Sequence, residues 1–255
     1  MSGLGASIGY GFLIGASLLV GAVVAAVAKL PARVAALLTA FGGGILFAAV
    51  ALELVPEADR EAGVPLTVVG LLAGTLVYVG ADALLNRNAS RKAMRRSGHA
   101  AAAGGAVTPT DGNGEAARGE SIAVGLFVDG VPESLAVGLT VAEGQIGLAL
   151  LGGVVVGNVV EAYGAAQPIV AGGHSKRFAI GLLGGIGAVL ALATIIGGTV
   201  LADASPAFIG TAQAAAAGAV LAVVSISIVP HAFKEVSGAA AVATVSGFIV
   251  GYLLS

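Results

Sequence analysis

The chain contains no cysteine and no tryptophan, and only 10% of its 255 residues are charged. Without cysteine there is no disulfide, no thiolate metal ligand and no lipid-modified anchor, so nothing points to an oxidising compartment. Without tryptophan, an interfacial aromatic belt rests on Tyr10, Tyr78, Tyr163 and Tyr252 alone. Soluble domains carry roughly 25% charged residues, so the shortage of charge excludes an ordinary soluble enzyme. The net charge of −2 offers no footprint for nucleic acid. Met1 to Gly21 lacks the basic start of a cleaved signal peptide and reads as part of a retained first membrane span.

What the chain has instead is apolar length: 57% hydrophobic residues and 41 glycines, with a mean hydropathy of +1.00. A bilayer core takes about 20 apolar residues per helix. On that ruler the chain divides into eight spans, near 6–28, 36–55, 64–85, 121–142, 146–172, 178–202, 207–230 and 237–254. The apolar runs are continuous and do not alternate, which excludes a membrane β-barrel. The expected fold is therefore an all-α integral membrane protein with eight transmembrane helices. Eleven of the twelve Lys and Arg residues fall on one side of this arrangement, and only Arg60 falls on the other. By the positive-inside rule that side is cytoplasmic, and both termini face outward. A single membrane domain results, with spans one to three in 1–85 and spans six to eight in 173–255. Spans four and five occupy 121–172, and 86–120, rich in Arg, Ala, Gly, Thr and Asn, reads as a disordered cytoplasmic loop.

Two internal likenesses stand out. Gly44, Ala48, Val50, Val55, Pro56 and Ala58 in span two match Gly218, Ala222, Val224, Val229, Pro230 and Ala232 in span seven at a constant offset. Asp129-Gly-Val-Pro-Glu133 in span four echoes Gly157-Asn-Val-Val-Glu161 in span five. Both pairs would run in opposite directions. The pattern is that of a 3+2+3 inverted repeat, an architecture that places substrate near the bilayer midplane.

Carboxylates inside such spans need a physical reason, because each costs about 2.5–3.5 kcal/mol to insert. Asp129 and Glu133 are four residues apart and share a helix face; Asn158 and Glu161 are three apart and do the same. If spans four and five pack antiparallel, four oxygen-bearing side chains converge, and a divalent cation compensates their charge. Blander roles compete with this one. Asp129 could cap a half-helix beginning at Pro132, and Glu133 and Glu161 could be protonated partners in helix–helix hydrogen bonds or a proton relay. Glu53 and Glu57 form an acidic outer mouth that would concentrate cations. His231 follows Pro230 at a cytoplasmic mouth and is a candidate exit ligand. Asp82 reads better as the partner of a basic neighbour than as a ligand. No Ser/His or zinc-hydrolase constellation lies within the spans, so an enzyme is not expected and no catalytic cofactor is called for.

Val131-Pro-Glu-Ser-Leu-Ala-Val-Gly138, following Asp129, resembles the fourth-span signature H-N-x-P-E-G-L-A-V-G of the ZIP (Zrt-, Irt-like) metal transporters. Leu52-Glu-Leu-Val-Pro-Glu57 is similar to that family's leucine- and proline-rich end of span two. The resemblance implies a multi-pass transporter of the cell (inner) membrane that moves divalent metal toward the cytoplasm. It also implies a metal site between spans four and five, dimerisation, and an elevator-like motion of spans one, four, five and six. Carried over position by position, the ligands are Asp129, Glu133, Asn158 and Glu161. This chain departs from the signature with Asp129 for His, Gly130 for Asn and Ser134 for Gly. Span six offers no carboxylate, so a second bridged metal is not expected. The all-oxygen set favours Mn²⁺ or Mg²⁺, or Fe²⁺, over the preferences of a His-bearing zinc site, although Zn²⁺ also accepts carboxylates. Two other functions compete: transport of H⁺ or Na⁺ through the same carboxylates, and metal binding without transport.

Overall fold

The computed structural model describes residues 3–28, 30–85, 126–127, 130–141, 144, 147–171, 173–201 and 204–255. The loop expected over 86–120 lies outside the described residues, and so does Asp129. Among the described residues the fold is helical throughout, with no strand.

In chain order the helices are α1 (Gly3–Val27), α2 (Ala32–Ala49), α3 (Val55–Leu85), α4 (Gly130–Val141), α5 (Leu148–Ala171), α6 (Lys176–Thr199), α7 (Pro206–Val223), α8 (Val229–Val236) and α9 (Gly238–Leu254). Five stretches are long and apolar enough to cross a membrane: Leu4–Val27, Arg33–Leu84, Leu148–Gln167, Lys176–Thr199 and Pro206–Ile226. The second of these is 52 residues long and is broken at Gly63. Gly63 has φ +75° and ψ 158°, a conformation that a side chain would strain.

Two wide, π-helical turns interrupt the helices, one over Val50–Leu54 and the other over Val224–Ile228. Each precedes a Val-Pro pair, Val55-Pro56 or Val229-Pro230. Proline lacks an N–H and its ring crowds the carbonyl four residues back. Widening the preceding turn relieves that clash, and the N–H of Val55 bonds the carbonyl of Val50 just as Val229 bonds Val224.

Helix directions follow from which residues meet. α1 and α6 are antiparallel, with Ser7 against Gly198, Gly11 against Ala191 and Leu19 against Gly184. α2 and α5 are antiparallel through Gly42–Gly157 and Leu46–Gly153. α2 also opposes the end of α7 and its continuation, with Gly43 against Val224 and Ile228 and Ala40 clustered with Ala232. Four pairs are parallel. They are α2 with α9 (Phe41–Gly247, Ala48–Gly251), α3 with α7 (Gly70–Thr211, Gly74–Ala215), α4 with α6 (Gly130–Leu190, Gly138–Gly198) and α1 with α5. In the last pair Gly21 packs on Val159, and the Leu30 N–H donates to the Tyr163 hydroxyl at 2.7 Å.

Lipid supplies no hydrophobic drive between helices, so close backbone approach at small residues must hold them together. A Cβ on Gly74 would stand 1.8 Å from the Ala215 carbonyl oxygen, and one on Gly247 would stand 1.9 Å from that of Phe41. Glycines that would meet another helix's carbonyl oxygen within 3.0 Å join α1 with α5 and α6, α4 with α6, α2 with α9 and α3 with α7; among the described residues none joins the group α1, α4, α5 and α6 to the group α2, α3, α7 and α9. Between these two groups the contacts are of another kind. Gly42 meets Val156 and Gly157 at ordinary distances, a Cβ on Gly153 would stand 2.8 Å from the Leu46 side chain and 3.2 Å from its backbone nitrogen, and a pocket of about 330 Å³ lies between α4 and the pair α3 and α7.

The outward faces carry large apolar side chains such as Phe12, Leu76, Val77, Val242 and Leu253, each about 70% exposed, as a lipid-facing surface requires. Replacing Gly74 with Ala is expected to cost about 1–3 kcal/mol or more, the scale of overpacking. Gly181→Ala has open space around the new Cβ and is expected to be neutral or stabilising by up to about 1 kcal/mol. Thermal unfolding of the detergent-purified variants checks this, and equal melting would contradict it.

Candidate functional site

α4 is only 12 residues long, about 18 Å at 1.5 Å per residue, and nearly all of it is buried. Gly130 and Gly138 seat it on α6, while Pro132, Leu135 and Leu139 line the cavity facing α3 and α7. Within this helix Glu133 is 7% exposed and Ser134 is fully buried. On α5, Asn158 is 3% exposed and lies between Val154 and Ala162, both fully buried, and Glu161, half-buried, follows one turn on. The two α5 side chains share the face expected from their spacing.

Most buried hydroxyls in these helices are satisfied by their own backbone. Ser17 donates to the Ile14 carbonyl at 2.6 Å, Thr39 to Ala35 at 3.0 Å, Thr140 to Val137 at 2.8 Å and Thr194 to Leu190 at 3.2 Å. Ser134 Oγ and Asn158 Nδ2 are buried with no hydrogen-bond partner. A buried amide group without a partner costs free energy that a ligand or water repays. These two atoms lie on the two helices that carry the expected site.

Of the four expected ligands, Glu133, Asn158 and Glu161 are on described helices and Asp129 is not. Among the described residues no three His, Asp or Glu side chains gather in a metal-holding group. The side chain of His231 also lies outside the described residues. His174 stacks on Phe178, ring centroids 4.3 Å apart, at the start of α6.

The acidic pair at the end of α2 divides. Glu57 is buried and ion-paired with Arg60. Glu53 lies in the wide turn after α2, and its carboxylate accepts the N–H groups of Ala149 at 3.2 Å and Leu150 at 3.1 Å. Those are first-turn amides of α5, the positive end of a helix dipole, where a carboxylate is favoured by about 0.3–1 kcal/mol. The sequence hinted at this through an absence. α6 and α7 begin with Ser175 and Ser205, whose hydroxyls accept from Phe178 at 3.1 Å and Phe208 at 3.3 Å. α5 begins after Gly147, which has no side chain to cap it.

The helices are consistent with a multi-pass membrane protein. No protein-family model matches the chain, and no curated protein matches it.

Ser134→Ala removes a buried hydroxyl that makes no hydrogen bond, so it is expected to preserve stability or raise it by about 1 kcal/mol. A melting temperature several degrees below that of the parent would contradict this.

Proposed function

We infer that the chain is an eight-span transporter that carries divalent transition-metal cations of the Zn²⁺, Mn²⁺ or Fe²⁺ class into the cytoplasm. The cation is the substrate, and Asp129, Glu133, Asn158 and Glu161 form its intramembrane site. The observation that carries this reading is the burial of Glu133 and Asn158 on α4 and α5, whose other buried side chains are nearly all apolar. Polar and ionisable groups buried inside spans mark ion pathways in membrane proteins.

Several features support the span count. Arg33–Leu84 reverses at Gly63 and counts as two spans, while the shorter helices Gly130–Val141 and Gly238–Leu254 add two more to the remaining four. If α2 points up, its contacts send α5 and α7 down and α9 up. Through α7, α3 points down; through α5, α1 points down; through α1 and then α6, both α6 and α4 point up. Successive spans then alternate in direction, which supports eight crossings.

The inverted repeat draws support from contacts that occur twice. Gly44 meets the Thr244 carbonyl as Gly218 meets that of Leu71, and Gly247 meets Phe41 as Gly74 meets Ala215. The two wide turns start 174 residues apart, the same offset as the span-two and span-seven sequence match. With the basic residues on the cytoplasmic side, both termini face outward. The group α1, α4, α5 and α6, joined internally by backbone contact, is the unit that would move against α2, α3, α7 and α9. Glu57 lines the outer mouth and His231 the exit.

Glu133→Gln and Glu161→Gln are each expected to lower metal flux into proteoliposomes at least about tenfold, as loss of a charged ligand does. Their folds should stay intact by thermal unfolding. The stabilisation that Mn²⁺ or Zn²⁺ gives the parent should vanish in Glu133→Gln. Parental flux in either variant would contradict the site.

A further inference from the structure

The boundary between the two helix groups is unlike the packing within them. Within the groups, glycines let backbones touch among α1, α4, α5 and α6, between α2 and α9, and between α3 and α7. Across the boundary there is a pocket of about 330 Å³, the ordinary contact of Gly42 with Val156 and Gly157, and Leu46 over Gly153, where a Cβ would stand 2.8 Å from the Leu46 side chain and 3.2 Å from its backbone nitrogen, so no carbonyl oxygen is approached as closely as within the groups. A polar connection crosses this joint: the Glu53 carboxylate, from the end of α2, accepts the N–H groups of Ala149 and Leu150.

Three local features build that connection. Pro56 forces the wide turn over Val50–Leu54 in which Glu53 sits. Gly147 leaves room for the carboxylate, since a Cβ there would stand 2.9 Å from Glu53 Oε2. Gly147, just before α5, has no side chain to cap the helix, and its leading amides take an outside acceptor. Both carboxylate oxygens are engaged, and charge-assisted bonds of this kind are about twice as strong as neutral ones.

We propose that Glu53 is a latch between the two helix groups. Its carboxylate holds α5, with Asn158 and Glu161, at one fixed height against α2, and it lets go when the α1/α4/α5/α6 group shifts. Glu53 is thus a positioning residue for the cation site and not one of its ligands. The movement rests on the transport reading above; the latch itself rests on the hydrogen bonds and the joint. Breaking it depletes the latched arrangement and leaves each group internally intact.

The cysteine-free sequence allows a direct test with engineered thiols in the full-length protein. Gly42→Cys with Gly157→Cys spans the joint, and Leu19→Cys with Gly184→Cys lies within one group. Cross-linking by a short bifunctional thiol reagent is compared with and without Glu53→Ala. The yield across the joint is expected to fall at least about threefold in Glu53→Ala. Partial recovery is expected in Glu53→Gln, which keeps one acceptor oxygen, while the within-group yield stays constant. An unchanged yield across the joint would overturn the latch, and an equal fall in both pairs would reduce Glu53 to a general stabiliser and overturn it too. Metal flux through the cysteine-free parent is scored separately. Its absence would remove the transport reading without altering the cross-linking result.

Discussion

Backbone contact at small residues is the constraint on which the fold depends. In lipid, burying a leucine against another helix gains little over leaving it in acyl chains, so stability comes from how closely helices approach. Gly44, Gly74, Gly218 and Gly247 each bring a carbonyl oxygen of a neighbouring helix to a distance that no side chain permits. Such contacts are directional: they link α1, α4, α5 and α6 in one set, α2 with α9, and α3 with α7, and among the described glycines none runs from the first set to the others.

The polar chemistry is distributed to suit that division. Glu133 and Asn158 are buried on α4 and α5, both in the group joined through α1 and α6. Glu57 is neutralised beside Arg60, and Glu53 is spent on the first amides of α5. Two acidic residues that looked alike in the sequence therefore have different roles, one in a local ion pair and one bridging the two groups. The difference arises from the wide turn imposed by Pro56, which re-aims the residues just before it.

The apolar periods made the helices legible. The stretches read at 64–85, 146–172 and 237–254 coincide within a few residues with the end of α3, with α5 and with α9. Span length and breaker residues are local properties, and a sequence carries them directly. The match between Gly44–Ala58 and Gly218–Ala232 was likewise visible before the structure placed a wide turn at the same point in each. The turns themselves were not legible, because proline announces a disturbance without saying whether the helix kinks, ends or widens. Nor was the partner of Glu53, which lies about a hundred residues further along the chain. Only the missing cap at Gly147 hinted that an acceptor must come from elsewhere. For the proposed cation site, the donor set was read from the sequence; Glu133 and Asn158 are buried on their helices, while Asp129 falls outside the described residues.

The central claim is that divalent cations cross the bilayer through an oxygen-only site. The most direct measurement is initial flux of Mn²⁺, Fe²⁺ and Zn²⁺, singly and in competition, into proteoliposomes holding the purified protein. The account expects all three to enter and each to compete with the others, because carboxylate and amide oxygens discriminate weakly among them. Strict Zn²⁺ transport indifferent to excess Mn²⁺ and Fe²⁺ would contradict the oxygen-only site. A flux of H⁺ or Na⁺ with no divalent cation entering would contradict the transport reading itself.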